Sequence, residues 1–73
     1  MTMKKPNLSP QHAAVIHAVA LAGGQSALAK KLGIKPQAVQ QWVVSGRVPP
    51  LRVIAVEAAT GVSRKALRPD IYP

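Results

Sequence analysis

The sequence contains no cysteine, almost no acidic residues and almost no aromatic residues. Without cysteine, the chain has neither a disulfide nor a thiolate metal site to stabilise it. The aromatic side chains are Trp42 and Tyr72, which are too few for a protein that binds single strands by stacking bases on rings. No apolar run approaches the about 20 residues that a membrane-spanning helix requires.

Positive charge is what the sequence has in excess. Ten Lys and Arg residues stand against two acidic residues, Glu57 and Asp70, and the net charge is +8. Residues 1–56 therefore carry no negative side chain. Such a field favours polyanionic partners, nucleic acid before an anionic membrane, although a generically basic surface is an alternative. The length of 73 residues predicts a single domain, residues 1–73.

The N-terminal part imitates a secretion signal, because Lys4 and Lys5 precede an apolar segment at residues 13–22. Prolines and histidines interrupt that pattern, and cleavage would remove a helix that the core needs. We therefore expect no secretion, and we expect residues 1–8 to form a flexible N-terminus.

Proline and glycine divide the remaining chain into helices joined by short loops. Ser9 is suited to cap the first helix, and a glycine follows each of the four longer segments. The result is an all-α domain of four helices and a helical turn, with a tail at residues 69–73. The predicted boundaries are Ser9–Pro10 and Gly23, residues 25–32, Pro36 and Gly46, Pro49–Pro50 and Gly61, and a short turn from Ser63 to Pro69.

Apolar residues at helical spacing predict which faces are buried. The predicted inward sets, from the first to the fourth helix, are Ala13, Ile16 and Ala20 with Val19 as a weaker member; Leu28, Ala29 and Leu32; Val39, Trp42 and Val43; and Leu51, Ile54, Ala55 and Ala58.

Residues 25–44 have the pattern of a helix-turn-helix. Two helices joined by about three residues must cross at a large angle, so a small side chain is needed at the crossing, and Ala29 lies there. The sharp turn needs a residue at positive φ, which Gly33 provides. The pattern therefore predicts a bend at Gly33 that leaves one face of the following helix uncovered.

Three glutamines, Gln37, Gln40 and Gln41, lie on that uncovered face together with Val44. In this motif the N-terminal half of the second helix lies in the major groove. Glutamine carries a donor and an acceptor in one plane and can pair with adenine N6 and N7, whereas lysine there would bind phosphate anywhere. The alternative is that these glutamines are solvated helix formers, but their place in the motif favours contact with bases.

The segment "QSALAKKLGIKPQAVQQWVVSG" resembles the helix-turn-helix of phage Cro-type repressors, including small prophage regulators. The downstream "VPPLRVIAVEAATGVSRKALRPD" is similar to the C-terminal half of such regulators. The resemblance implies a compact Cro/lambda-repressor-like domain and a dimeric repressor that covers an operator in double-stranded DNA. It also implies a cytoplasmic protein of a bacterial host, associated with the nucleoid.

Positions that match the family pattern then receive expected roles. Those implied to contact base edges are Pro36, Gln37, Gln40, Gln41 and, by spacing, Val44, which could instead be half-buried beside the fourth helix. Those expected to contact phosphate are Gln25, Lys30, Lys31, Lys35 and Arg47, with Arg52, Arg64, Lys65 and Arg68 as further candidates. Lys35 departs from the family pattern, because lysine cannot accept a hydrogen bond from the helix amides and leaves them free for a phosphate.

Other chemistry is poorly supported. His12 and His17 are five residues apart, a poor fit to one helix face, and no cysteine accompanies them, so we expect no metal site. No glycine-flanked nucleophile turn occurs, so we expect no enzyme. No cofactor, small-molecule ligand or membrane is expected as a partner.

Two rival functions remain alongside the repressor. The first is an antitoxin-like module with the same fold whose main partner is a protein. The second is a membrane-active cationic helix, although the polar face of the first helix carries two histidines and no Lys or Arg. We expect a weak or moderate homodimer, formed by the fourth helix or by the tail with Ile71 and Tyr72.

Overall fold

The computed structural model describes residues 8–73 and contains five helices in that part of the chain. The predicted all-α fold is confirmed, with no strand among the described residues. The prediction for residues 1–8 falls, except for Leu8, outside the described part. The helices are α1 (Pro10–Ala22), α2 (Gln25–Leu32), α3 (Pro36–Ser45), α4 (Pro50–Thr60) and α5 (Arg64–Leu67).

The helix ends lie where proline, serine and glycine predict them. The Ser9 side chain accepts a hydrogen bond from the His12 amide at 3.0 Å, and Pro10 occupies the first turn of α1. Ser63 accepts a hydrogen bond from the Lys65 amide at 3.1 Å and so caps α5. These caps supply partners for amides that have none within the helix.

Helix α1 lies at the centre of the domain and packs against each of the other four helices. Its buried residues are Val15, Ala18, Val19 and Ala22. The prediction of Ala13, Ile16 and Ala20 as the inward set is therefore wrong, since all three are exposed. The segment is apolar on nearly every side, so its periodicity could not decide which face the other helices cover.

The predicted inward face of α4 is also wrong. Val53 and Val56 are fully buried, whereas Leu51, Ile54, Ala55 and Ala58 are all exposed. Two apolar stripes run along opposite sides of this helix, and either would satisfy helical spacing. Packing against α1, α2 and α5 buries the valine stripe and leaves the other one uncovered.

The core formed by these helices is entirely apolar among the described residues. The predicted inward faces of α2 and α3 are confirmed: Leu28, Ala29, Val39 and Trp42 are buried, and Leu32 and Val43 are half-buried. The remaining buried positions outside α1 and α4 are Val48, Val62 and Leu67.

Both acidic side chains stabilise the C-terminal part. Glu57 accepts hydrogen bonds from the Arg64 guanidinium and from the Arg64 amide. Arg68 donates to Asp70 at 2.7 and 2.9 Å and to the Val48 carbonyl oxygen at 3.0 Å. Tyr72 packs against the core. The Arg64 guanidinium lies over the Tyr72 ring, with its Cζ atom 5.7 Å from the ring centre. The predicted tail is thus attached to the domain.

The Asp70 ion pair should make the stability of the domain depend on pH. Hydrogen bonding from Arg68 lowers the pKa of Asp70 to about 2, and hydrogen bonding from Arg64 lowers the pKa of Glu57. Because both folded-state pKa values lie below the unfolded ones, their contribution is present above about pH 4 and is lost as the pH falls toward 2. We expect Asp70→Asn to reduce this acid-dependent loss, measured by urea unfolding from pH 5 to pH 2. An identical decline in both proteins would contradict the role of this pair.

No single helix in residues 8–73 has the length and apolar character to cross a membrane. Helices α1 and α2 together have that length and apolar character, but they are bent by 81° relative to each other.

Candidate nucleic-acid interface

The bend between α2 and α3 is built from Gly33 and its neighbours. Gly33 has φ 70° and ψ 33°, the left-handed conformation that ends α2. The Gly33 amide donates to the Lys30 carbonyl oxygen at 3.2 Å, and the Ile34 amide donates to that of Ala29 at 2.9 Å. These two bonds form a Schellman motif, which fixes the direction in which the chain enters α3.

Helix α3 buries one side and exposes the other. Val39 is fully buried and Trp42 is only 6% exposed, so the predicted place of Trp42 in the core is confirmed. Helices α1 and α2 cover this side of α3, and α4 makes no packing contact with α3. The side chains on the opposite side therefore face solvent.

We call that opposite side the α3 outer face and define it as Pro36, Gln37, Gln40, Gln41 and Val44. All five residues are exposed. Val44 is 74% exposed, which excludes the alternative that it is half-buried beside α4. The sequence-based prediction of an uncovered glutamine face is thus matched by the geometry, whereas contact between these residues and bases stays a prediction.

The first turns of α2 and α3 have no side-chain caps. Neither Gly24, which precedes α2, nor Lys35, which precedes α3, provides a side-chain hydrogen bond to the helix amides. Gln25 begins α2 and is half-buried, and Lys35 is exposed beside the α3 outer face. Uncapped amides at helix starts carry partial positive charge and favour anions such as phosphate.

Cationic side chains lie on α2 and at both ends of α3. Lys30 and Lys31 are exposed in the last turn of α2, and Arg47 is exposed just after α3. In residues 8–73 the ion pairs are Arg64–Glu57 and Arg68–Asp70, so two candidate phosphate ligands have structural partners instead. Arg47 makes a minor contribution to lowering the pKa of Asp70, after the dominant hydrogen bond from Arg68. The α2–α3 region therefore retains a net positive field.

One positioning residue was not predicted from the sequence. The His12 ring on α1 donates from Nε2 to the Val43 carbonyl oxygen near the C-terminal end of α3. The two residues are 31 positions apart, and no local pattern connects them. This contact fixes the end of α3 against α1. Within residues 8–73, no cluster of three potential metal ligands accompanies either histidine.

Gly46 lies directly against His12. It has φ 76°, and a Cβ added there would lie 2.7 Å from the His12 Cγ atom. Gly33 has a similar φ of 70°, but a Cβ there would meet nothing within 4 Å. The two glycines therefore form a matched pair that separates backbone strain from steric overlap.

We expect Gly46→Ala to lower the free energy of unfolding more than Gly33→Ala does. Both alanines carry the left-handed backbone strain of about 1–2 kcal/mol, and Gly46→Ala adds an overlap cost of about 1–3 kcal/mol. Urea unfolding measures the difference. The extra cost should become smaller in a His12→Ala background, which removes the ring but keeps the His12 Cβ atom at 3.0 Å from the added Cβ. Equal costs for both glycines in the wild-type background would show that His12 does not restrict this position.

The comparison with known families gives a match over most of the chain. The family described as "Bacterial toxin YdaS" matches residues 15–73, which include α2 to α5 and all of α1 except residues 10–14. The chain belongs to the YdaS family.

Two relatives extend this assignment. The chain is 44% identical over 72 residues to the "Putative transcriptional regulator YdaS" of Escherichia coli K12, an alignment that covers 94% of this chain and 68% of that protein. It is 36% identical over 73 residues to the "Gene 30 protein" of Enterobacteria phage phi80, covering 99% of this chain and 97% of that protein. No solved structure matches the chain.

The relatives of this chain thus include a protein named as a regulator and a protein from a phage, and the description of the matching family names a toxin. The predicted link to phage-associated regulators agrees with these names. The narrower resemblance to Cro-type repressors stays a prediction.

Proposed function

We propose that this protein is a sequence-specific double-stranded DNA-binding repressor of the Cro type. The observation that carries this proposal is the α3 outer face, where three glutamines lie exposed on a helix whose other side is firmly packed. The name of the Escherichia coli relative as a transcriptional regulator supports it. The proposed activity is binding alone, without catalysis, metal or cofactor.

Specificity would come from the α3 outer face in the major groove. Gln37, Gln40 and Gln41 can each donate and accept in one plane, which suits adenine, and one good pair discriminates by ~1–3 kcal/mol. The exposed Val44 side chain suits contact with a thymine methyl group. Pro36 lies at the start of the helix and offers only apolar contact, so discrimination rests mainly on the glutamines.

Affinity would come from the phosphates on either side of the groove. Lys35 and Arg47 are exposed at the two ends of α3, Lys30 is exposed on α2, and Lys31 lies on α2 beside α4. None of them belongs to the ion pairs of residues 8–73. The uncapped start of α2 at Gln25 supplies a further anion-binding group. Such contacts position the protein and carry no sequence information directly.

Repression would follow from occupancy of the operator by the protein. A single helix contacts only a few base pairs, so an operator needs two half-sites about one helical turn apart and two copies of the chain. Two bound copies would cover promoter elements and block access of the transcription machinery.

Selection of binding sites from random DNA duplexes tests this proposal. We expect enrichment of a short, inverted-repeat sequence with adenine or thymine at positions that lose enrichment in a Gln40→Ala variant. Recovery of unenriched sequences at low salt would show non-specific charge attraction and contradict sequence-specific regulation.

A second candidate is a protein-interaction module, as in an antitoxin or a toxin, and the family description favours it. Such a module would bury apolar surface against another protein, and its binding would survive high salt. A toxin-like reading frame beside the gene, together with binding of its product at 1 M salt, would favour this candidate over DNA binding.

A further inference from the structure

We propose that the exposed apolar stripe of α4 packs against the same stripe of a second copy, with the two helices antiparallel. We call Leu51, Ile54, Ala55 and Ala58 the α4 stripe. This surface would bring together the two copies that the proposed function requires, but it can be tested without DNA.

The α4 stripe is unusual in its exposure. Leu51 is 94% exposed and Ile54 is 43% exposed, and both alanines are exposed as well. The four residues follow the spacing i, i+3, i+4, i+7 and contain no charged side chain. This arrangement is typical of a helix face that packs against another helix.

The two halves of the stripe differ in shape. Its N-terminal half carries the large side chains of Leu51 and Ile54, whereas its C-terminal half carries only alanines. Beside the alanine half lies an open groove of about 510 Å³ between α2 and α4. The groove is lined by Lys31, Leu32, Ala55, Ala58 and Ala59.

These halves are complementary when the helix is paired with itself in the opposite direction. The stripe is symmetric about the point between Ile54 and Ala55, so an antiparallel pair places Leu51 of one copy opposite Ala58 of the other. Ile54 then lies opposite Ala55. The large side chains of each copy then enter the groove between α2 and α4 of the other copy. The two-fold axis closes the assembly at two copies.

The position of α4 keeps the α3 outer face clear of this pairing. Helix α4 packs against α1, α2 and α5 but not against α3, so two copies joined through α4 keep both α3 outer faces uncovered. The exposed Leu21 on α1 is another apolar side chain, 56% exposed, but it does not line the groove between α2 and α4.

The available area limits the strength of the pairing. A stable interface buries about 800 Å² per partner, which is roughly one sixth of the chain's total surface of 5026 Å². Helix α4 has 11 residues and is only about 16 Å long, so one of its faces supplies less than that area. We therefore expect the free chain to associate weakly, with dimers detectable only at high protein concentration.

Sedimentation equilibrium up to about 1 mM protein tests the surface. Leu51→Lys should weaken self-association at least about tenfold, while Leu21→Lys, which adds the same charge to another exposed leucine, should leave it unchanged. Circular dichroism checks that both variants stay folded. A wild-type chain that remains monomeric, or equal weakening by both variants, would overturn the proposal.

Cysteine cross-linking tests the direction of the pair, because the chain has no cysteine of its own. A mixture of Leu51→Cys and Ala58→Cys chains should form a disulfide faster than either chain alone. In an antiparallel pair the two Leu51 positions lie about 10 Å apart along the axis, beyond the about 7 Å that a disulfide spans. Faster cross-linking of Leu51→Cys with itself would indicate a parallel pair and overturn the proposal.

The salt dependence of self-association distinguishes this proposal from the proposed DNA binding. Self-association of chains that each carry +8 should strengthen as salt screens their repulsion, whereas DNA binding should weaken. Self-association that is lost in Leu51→Lys, with monomers still binding half-site DNA, would support both proposals. DNA binding by a chain that never dimerises would overturn this one alone.

Discussion

Raising the salt concentration from about 50 to about 200 mM is expected to weaken binding to operator DNA by ~10³–10⁵-fold. The net charge is +8, and the acidic side chains of Glu57 and Asp70 pair with Arg64 and Arg68 rather than with the cations around α3. With ~6–10 phosphate contacts, the affinity depends largely on released counterions. Fluorescence anisotropy with a labelled duplex measures the slope of log affinity against log salt.

A matched pair of variants locates the phosphate contacts. Arg47→Ala removes an exposed cation beside α3 and should lower the slope by about 1, weakening all DNA sequences about equally. Lys65→Ala removes the same charge from α5, which packs against α1 and α4 but not against α3, and should change the slope less. A slope near zero in the wild-type chain would contradict DNA binding and favour the protein-interaction module.

Replacing Trp42 by alanine is expected to leave the domain largely unfolded at 25 °C. Trp42 is 6% exposed and is the largest side chain in the core. Truncation of such a residue costs about 3–5 kcal/mol, and a domain of this size has only ~3–5 kcal/mol from its core. The near-absence of a cooperative thermal transition by far-ultraviolet circular dichroism would be the expected result.

Val44→Ala provides the control on the same helix. Val44 lies two residues from Trp42 but is 74% exposed, so its truncation should change stability by no more than about 0.5 kcal/mol. The same variant should weaken operator binding if Val44 contacts a thymine methyl group. A cooperative transition in Trp42→Ala close to that of the wild-type chain would contradict the assignment of inner and outer faces of α3.

Residues that begin or end helices made the fold largely predictable. Proline and serine mark the helix starts, and glycine at positive φ ends α1, α2, α3 and α4, because these residues act through their own backbone. The faces of α2 and α3 were also predictable, since polar residues lie opposite their apolar ones. The faces of α1 and α4 were not, because each has apolar residues on more than one side and only packing decides which of them is buried.

Contacts between residues far apart in the chain could not be predicted from the sequence. His12 and Val43 meet because α1 crosses the end of α3, and Arg68 reaches the Val48 carbonyl oxygen 20 positions away. Arg64 and Arg68 resembled phosphate ligands by charge alone, yet each has an acidic partner. Charge and spacing predicted the candidate interface, whereas its positioning contacts depend on the folded arrangement.

Binding of Gln40→Ala to a set of single-base operator variants tests the central claim most directly. The claim is that the α3 outer face distinguishes bases through its glutamines. We expect the variant to lose discrimination at one base pair per half-site while keeping it elsewhere, with Gln11→Ala on α1 as the amide control that keeps the full wild-type pattern. A uniform loss of affinity for every operator variant would contradict the claim.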